Sequence, residues 1–340
     1  MQSFPLNPPP FYWKRSRSGP DLRVHEWIQQ IEASNNFLSD QKWDVVMVGV
    51  PLSRTSISPS AASEFPEAFR RSWKSFSTYN IDYDLDLQSL SVADLGDVSI
   101  HVTDNQKSHQ NIRVISKWMW SSFAGSFPVA IGGDHSITAM LVAGIKECEP
   151  STKIGILQFD THLDLRDLLD HGPTNGTPIR NLIQSGIVTG DHVYNIGVHG
   201  YFNAPSLIQY AKNQGVHYIT LREARKCGMQ RTVERALNEL CDKVDFIYLT
   251  VDMDVLDIGV APGAPASTPG GMGTHELFEA VYIAGQCPKV RAMDIVCLDP
   301  LRDANSQPTV KAGTHVFLSC LSGLFQRKTN GNNPTKNSSE

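Results

Sequence analysis

Short runs of apolar and β-branched residues recur along the chain, separated by longer stretches whose apolar positions repeat every three or four residues. The runs are VVMVGV (45–50), VAIGG (129–133), IGILQF (154–159), VYNIGV (193–198), VHYIT (216–220), FIYLTV (246–251) and VRAMDIV (290–296). Continuous rather than alternating apolarity is the mark of strands covered on both faces, as in a parallel sheet. The intervening stretches predict helices at about 22–37, 64–74, 108–123, 136–147, 178–185, 205–214, 229–241, 275–285 and 308–324. Strand and helix alternate without a Pro/Gly/Ser-rich linker, which predicts one three-layer α/β/α domain over residues 21–325. A closed (β/α) barrel gives the same alternation and stays open at this point. Residues 1–20, rich in proline, and the polar tail 326–340 are expected to be loose.

With 340 residues, 41% hydrophobic and 19% charged, the chain is large enough for a full core, which excludes disulfide-stapled and mostly disordered classes. Thirty Lys+Arg against 35 Asp+Glu give a net charge of -5, so nucleic acid and anionic membrane are not expected partners. No apolar run reaches the length of a membrane span, and the opening residues lack the apolar segment of a secretory signal. A cytoplasmic location is therefore expected. The six cysteines form no C-x-x-C pair and fit free thiols in a reducing compartment. Neither G-x-G-x-x-G nor the P-loop pattern occurs, which removes two common nucleotide-binding readings.

Three of the apolar runs end in acids and histidines. Asp134-His135-Ser136 follows the second run, Asp160-Thr161-His162-Leu163-Asp164 the third, and Asp252-Met253-Asp254 closes the sixth, with Asp257 just beyond. Alternation along an extended chain would turn Asp160, His162 and Asp164 to one side, and Asp252 and Asp254 likewise. The crevice beyond the carboxyl ends of strands is where open α/β sheets place their sites. Four carboxylates and two imidazoles cannot gather without countercharge. An oxygen-rich set with a minority of imidazole suits Mn2+, while Ni2+, Co2+ or Fe2+ also fit. Six donors are too many for one ion with an open position and about right for two, and a pair of ions activates water near neutral pH.

GGDHS, FDTHLDLRD and TVDMDVLD, in that order and at these separations, resemble the three signature segments of the ureohydrolase superfamily, which spans arginases, agmatinases, guanidino-acid hydrolases and formimidoylglutamases. The resemblance runs from about residue 44 to 324 and implies a three-layer sandwich around an eight-stranded, mostly parallel sheet, in a trimer or hexamer. It further implies one metal on His135, Asp160, Asp164 and Asp252 and a second on Asp160, His162, Asp252 and Asp254. Asp164 and His162 would then be the catalytic pair, with Asp257 supporting the ligands. Further segments, including GPTNGTPIRNLI and MDIVCLDPLRD, look most like the formimidoylglutamase branch, which cleaves N-formimidoyl-L-glutamate to glutamate and formamide. The alternative is a urea-releasing guanidino-acid hydrolase. Either substrate is a small amidine or guanidine bearing a carboxylate, and Arg166 and Arg180 are placed to grip such a group. Asn175, Thr177 and Cys297 complete the expected substrate contacts. Two departures stand out: Thr161 replaces the usual alanine, and Cys297 stands where the family usually has the glutamate that holds the planar cation. The second departure raises a further alternative, a catalytically weakened member.

Overall fold

The computed structural model describes residues 4–14, 22–31 and 42–331. The strands are β1 (Leu6–Asn7), β2 (Gln29–Gln30), β3 (Val45–Val50), β4 (Tyr79–Asn80), β5 (Leu85–Asp86), β6 (Val92–Val98), β7 (Phe127–Gly132), β8 (Ile154–Phe159), β9 (Val193–Val198), β10 (His217–Thr220), β11 (Phe246–Asp252) and β12 (Val290–Val296). Ten of them form one open sheet in the order β1-β6-β3-β7-β12-β11-β8-β9-β10, with β2 also on β6, while β4 and β5 make a separate hairpin. The run from β6 to β10 is eight strands, all parallel, as expected. Because the sheet has two edges, the barrel alternative is excluded. Side chains alternate across β3: Val45 and Met47 join one core, and Val46, Val48 and Val50 join the other.

Helices fill both faces. The first core takes residues from α2 (Phe65–Ser72), α8 (Leu221–Cys227), α9 (Met229–Lys243), α10 (Thr274–Gln286) and α11 (Pro308–Gly331). The second takes residues from α3 (Asn105–Ser122), α4 (Ser136–Cys148), α6 (Pro178–Gln184) and α7 (Pro205–Gln214). Two short helices, α1 (Val24–Trp27) and α5 (Leu168–His171), complete the set. No helix among the described residues is long and apolar enough to cross a membrane.

Three expectations change. The helix predicted at 22–37 is a single turn, 24–27, followed by β2, whose residues pair with Ala93 and Asp94; positions 32–37 lie outside the described residues. Within the start expected to be loose, residues 4–14 lie against the fold: β1 pairs antiparallel with β6, and Trp13 Nε1 donates to the Arg70 carbonyl at 3.1 Å. The tail from 332 onward lies outside the described residues, while α11 continues past the expected boundary to 331. Helix α8, missed in the periodicity, begins in a capping box in which Thr220 and Glu223 satisfy each other's backbone N–H groups.

Strand β6 is the larger surprise, because Asp94, Gly96 and Asp97 read as turn residues. The strand forms around Arg70, which is fully buried and donates Nε and Nη2 to the two Asp94 oxygens at 2.8 Å each. Its Nη1 reaches Asp97 Oδ1 at 2.7 Å and Nη2 also reaches the Gly96 carbonyl at 2.9 Å. Gly96 adopts φ +93°, and a side chain there would collide with the Asn7 carbonyl of β1. The pair therefore anchors α2 to the edge of the sheet. Replacing Arg70 by Met leaves two acids uncompensated there and is expected to cost about 3–5 kcal/mol. Denaturant unfolding checks this, and a loss below about 1 kcal/mol, the scale of a surface pair, would contradict it.

Candidate active site

The four neighbouring strands β7, β12, β11 and β8 all point their carboxyl ends at one crevice. After β7 the chain turns through Gly133, where any Cβ would strike the Leu52 carbonyl, so only glycine lets the backbones pass. Asp134 then locks the turn: its oxygens accept from Ser136 N (3.0 Å), Thr55 N (3.2 Å) and Thr55 Oγ1 (2.6 Å). His109 Nε2 meets Ser136 Oγ at 3.0 Å behind it. This turn aims His135 inward, with Nδ1 at 3.2 Å from Asp160, 2.7 Å from Asp164 and 3.1 Å from Asp252. His162 Nδ1 lies 3.0 Å from Asp254 Oδ2 and 3.5 Å from Asp160 Oδ1. All six expected donors meet, and their convergence is not by simple strand alternation. Asp164 sits in the left-handed region at φ +55°, a conformation Asp tolerates better than most residues. Asp254 is turned inward by a 3-10 turn, Met253–Val255, capped by Asp252, which accepts from Asp254 N at 2.9 Å.

Polar groups inside the strands hold these donors. His135 Nε2 meets Thr250 Oγ1 at 2.9 Å, and that hydroxyl donates to Asp294 Oδ1 at 2.6 Å. Asp294 is itself held by Thr138 (2.7 Å) and Tyr248 (3.0 Å). Gln158 Nε2 donates to Asp160 Oδ2 at 2.6 Å. Asn203 bonds the Leu163 N–H and the Thr161 carbonyl, each at 2.9 Å, and Asn195 donates to the His162 carbonyl at 2.6 Å. Thr161, the departure from alanine, donates Oγ1 to the Asp254 carbonyl at 2.9 Å and so ties two of the three loops together.

The buried acids and imidazoles of the cluster shift one another strongly. Burial, and then the nearby Asp160 charge, push Asp164 up to about 7. Burial with Asp254 and Asp160 does the same for Asp252, to about 7, and burial with Asp160 raises Asp254 to about 6. Burial opposes protonation of His162, yet the charges of Asp254 and Asp160 lift it to about 12. Acids gathered this closely favour positive charge among them. The donors fit divalent ions: His135 Nδ1 is buried and makes no hydrogen bond among the described residues, while Nε2 is fixed by Thr250. Two groups of three donors, His135–Asp160–Asp164 and Asp160–His162–Asp254, each lie within 4.8 Å and share Asp160.

A cavity of about 230 Å3 opens onto the cluster, lined by His162, Asp164, Asp252 and Asp254 together with Arg166, Asn175 and Phe202. The expected substrate contacts divide. Arg166 and Asn175 line the cavity, and the Arg166 side chain has no ion pair among the described residues. Arg180 is committed elsewhere: it donates to Asp167 at 2.5 Å and the Leu165 carbonyl at 3.2 Å and covers the Tyr210 ring. Thr177 is buried at the start of α6, where its hydroxyl bonds Thr174. Asp257, expected to support the ligands, instead accepts from Gly259 N (2.7 Å) and Gly270 N (2.6 Å) and pins the loop between them. Cys297 is buried at φ +60°, with Sγ within 4.8 Å of donor atoms of His135 and Asp252. Burial and the Asp252 charge push its thiol well above the ordinary range, so it is neutral.

Carboxylates and imidazoles gathered beyond the central strands of an open α/β/α sheet define a hydrolase built to hold divalent cations. The sequence model of the Arginase family matches residues 43–323, and the chain belongs to that family. It is 40% identical to the formimidoylglutamase of Bacillus subtilis over 278 residues, covering 82% of this chain and 86% of the relative. The crystal structure of formimidoylglutamase from Bacillus subtilis superposes with a TM-score of 0.84 at 36% identity, covering 93% of this chain and 96% of that one. A Trypanosoma cruzi formiminoglutamase variant with Mn2+ superposes with a TM-score of 0.79 at 25% identity, covering 90% and 99%.

The bonds behind the GGDHS turn set a pH limit. Burial lowers His109 to about 4, so the folded protein keeps it neutral. An unfolded histidine titrates near 6.5, so this contribution to stability is complete above that pH and is lost as pH falls towards 4. His109→Gln is expected to flatten the fall in melting temperature between pH 6.5 and 4.5. Parallel curves for the two proteins would contradict the assignment.

Proposed function

We propose that this chain hydrolyses N-formimidoyl-L-glutamate to L-glutamate and formamide, with two Mn2+ ions per chain. One ion is assigned to His135, Asp160, Asp164 and Asp252, the other to Asp160, His162, Asp252 and Asp254. The observation that carries the substrate is Arg166, an unpaired guanidinium on the cavity that opens onto the cluster. A planar fork of N–H donors suits bidentate capture of a carboxylate, and it would repel a purely cationic substrate. The identity to the Bacillus subtilis formimidoylglutamase supports the same reading.

When bound, such ions lower the pKa of water and offset negative charge developing at the amidine. The chain's own groups then divide the remaining work. Arg166 holds the glutamyl carboxylate and so directs the amidine carbon towards the cluster. Phe202 lines one side of the cavity and packs edge-on to His162, limiting water there. Asp164, a carboxylate on the cavity, takes the proton of the attacking water and returns it to the leaving nitrogen. Carbon–nitrogen cleavage then frees the glutamate amine and formamide. Cys297 presents a neutral thiol beside the cluster.

Assaying the Mn2+-loaded chain on formimidoylglutamate and on guanidino acids, with formamide and urea quantified separately, tests the reading. Formamide is expected, and urea from guanidino acids as the main product would replace this substrate with the alternative. Arg166→Ala is expected to raise KM by about ten- to a hundred-fold with a smaller change in kcat, since a charge-assisted pair is removed. An unchanged KM would sink the carboxylate assignment. Thr250→Val frees His135 Nε2 and is expected to weaken metal binding by about ten- to a hundred-fold, read by competition with a chelating dye. Unaltered affinity would show that the Thr250–Asp294 pair does not support the ligand.

A further inference from the structure

The wall of the substrate cavity has a second side. There a larger cavity, about 760 Å3, is lined by Arg54, Gln106, His109, Gln110, Arg113 and Thr174 among others, with no aspartate or glutamate among the described residues that line it. Arg113 is engaged by Glu147. Arg54 is exposed and has no ion pair among the described residues, and the side-chain amides of Gln106 and Gln110 are likewise unengaged. Positive charge and free amides surround a space of the size that small-molecule sites occupy.

We propose that this cavity is an effector site for a small organic carboxylate, held by Arg54 and hydrogen-bonded by the amides. Coupling to the substrate follows from the shared wall. Residues 54–56 and 172–174 face the large cavity, whereas 57–58 and 175–176 face the substrate cavity. The two segments are joined where Asn175 N donates to the Thr55 carbonyl (3.0 Å) and Ile57 N donates to Asn175 Oδ1 (2.8 Å). Arg166 N in turn donates to the Gly176 carbonyl at 3.0 Å. A ligand that holds Arg54 therefore fixes the backbone from Thr55 to Asn175 and beside Arg166, and by reciprocity substrate alters its affinity.

Calorimetric titration of the metal-loaded full chain with glutarate, and separately with inorganic phosphate, tests the site without requiring turnover, so it stands whether or not the substrate assignment does. One glutarate per chain is expected to persist in Arg166→Ala, where the substrate cavity has lost its carboxylate grip. Arg54→Gln, an exposed position, should weaken that binding about tenfold or more, and phosphate should bind at least about tenfold more weakly than glutarate. Met140→Trp, which narrows the cavity from α4, should weaken binding while the melting temperature stays unchanged. Binding lost in Arg166→Ala but untouched by Arg54→Gln would place glutarate in the substrate cavity and overturn the proposal. Absence of binding, or phosphate equal to glutarate, would overturn it as well.

Discussion

Four aspartates and two histidines packed into one buried pocket repel unless positive charge sits among them, and the centre of this molecule is arranged around that requirement. Burial that would ordinarily keep acids away is imposed by the sheet: the donors follow directly on strands whose residues are almost entirely inaccessible. The pocket then holds them by hydrogen bonds to backbone and to strand side chains, leaving the oxygens and the His135 Nδ1 facing one another. Left-handed conformations at Asp164 and Cys297 fit this picture, because uncommon backbone geometry persists where surrounding structure over-determines it.

The same chain solves a second buried-charge problem differently. Around β6 the countercharge is a side chain, Arg70, which meets Asp94 and Asp97 with fixed geometry and joins α2 to the sheet. At the strand ends the acids have no such partner: Arg166 lines the cavity without pairing with any of them. A covalently attached cation would fill the space where substrate must react, whereas ions leave open positions. One cluster builds the fold and the other is left reactive.

The acids and histidines of the site were readable because they sit at the ends of apolar runs, where polarity is conspicuous. Their supports were hidden for the opposite reason. Gln158, Thr250 and Asp294 lie inside buried strands, and isolated polar residues in IGILQF, FIYLTV or VRAMDIV barely alter the pattern. Each is nonetheless a signal, since a buried polar group needs a partner. Strand β6 was invisible because its Asp-x-Gly-Asp content imitates a turn until Arg70 is seen beneath it. The loop partners that hold Arg180, Thr177 and Asp257, such as Asp167, Thr174 and Gly270, cannot be inferred from spacing. Arg166 and Asn175 reach the cavity through pairing between loops distant in sequence.

If the acids are gathered to hold two ions that share Asp160, stoichiometry reports it most directly. Equilibrium dialysis of chelator-stripped protein against Mn2+, followed by elemental analysis, should give two ions per folded chain, and Asp160→Asn should weaken both sites together. One ion or none in the folded parent protein, or loss of a single site in Asp160→Asn, would contradict the account.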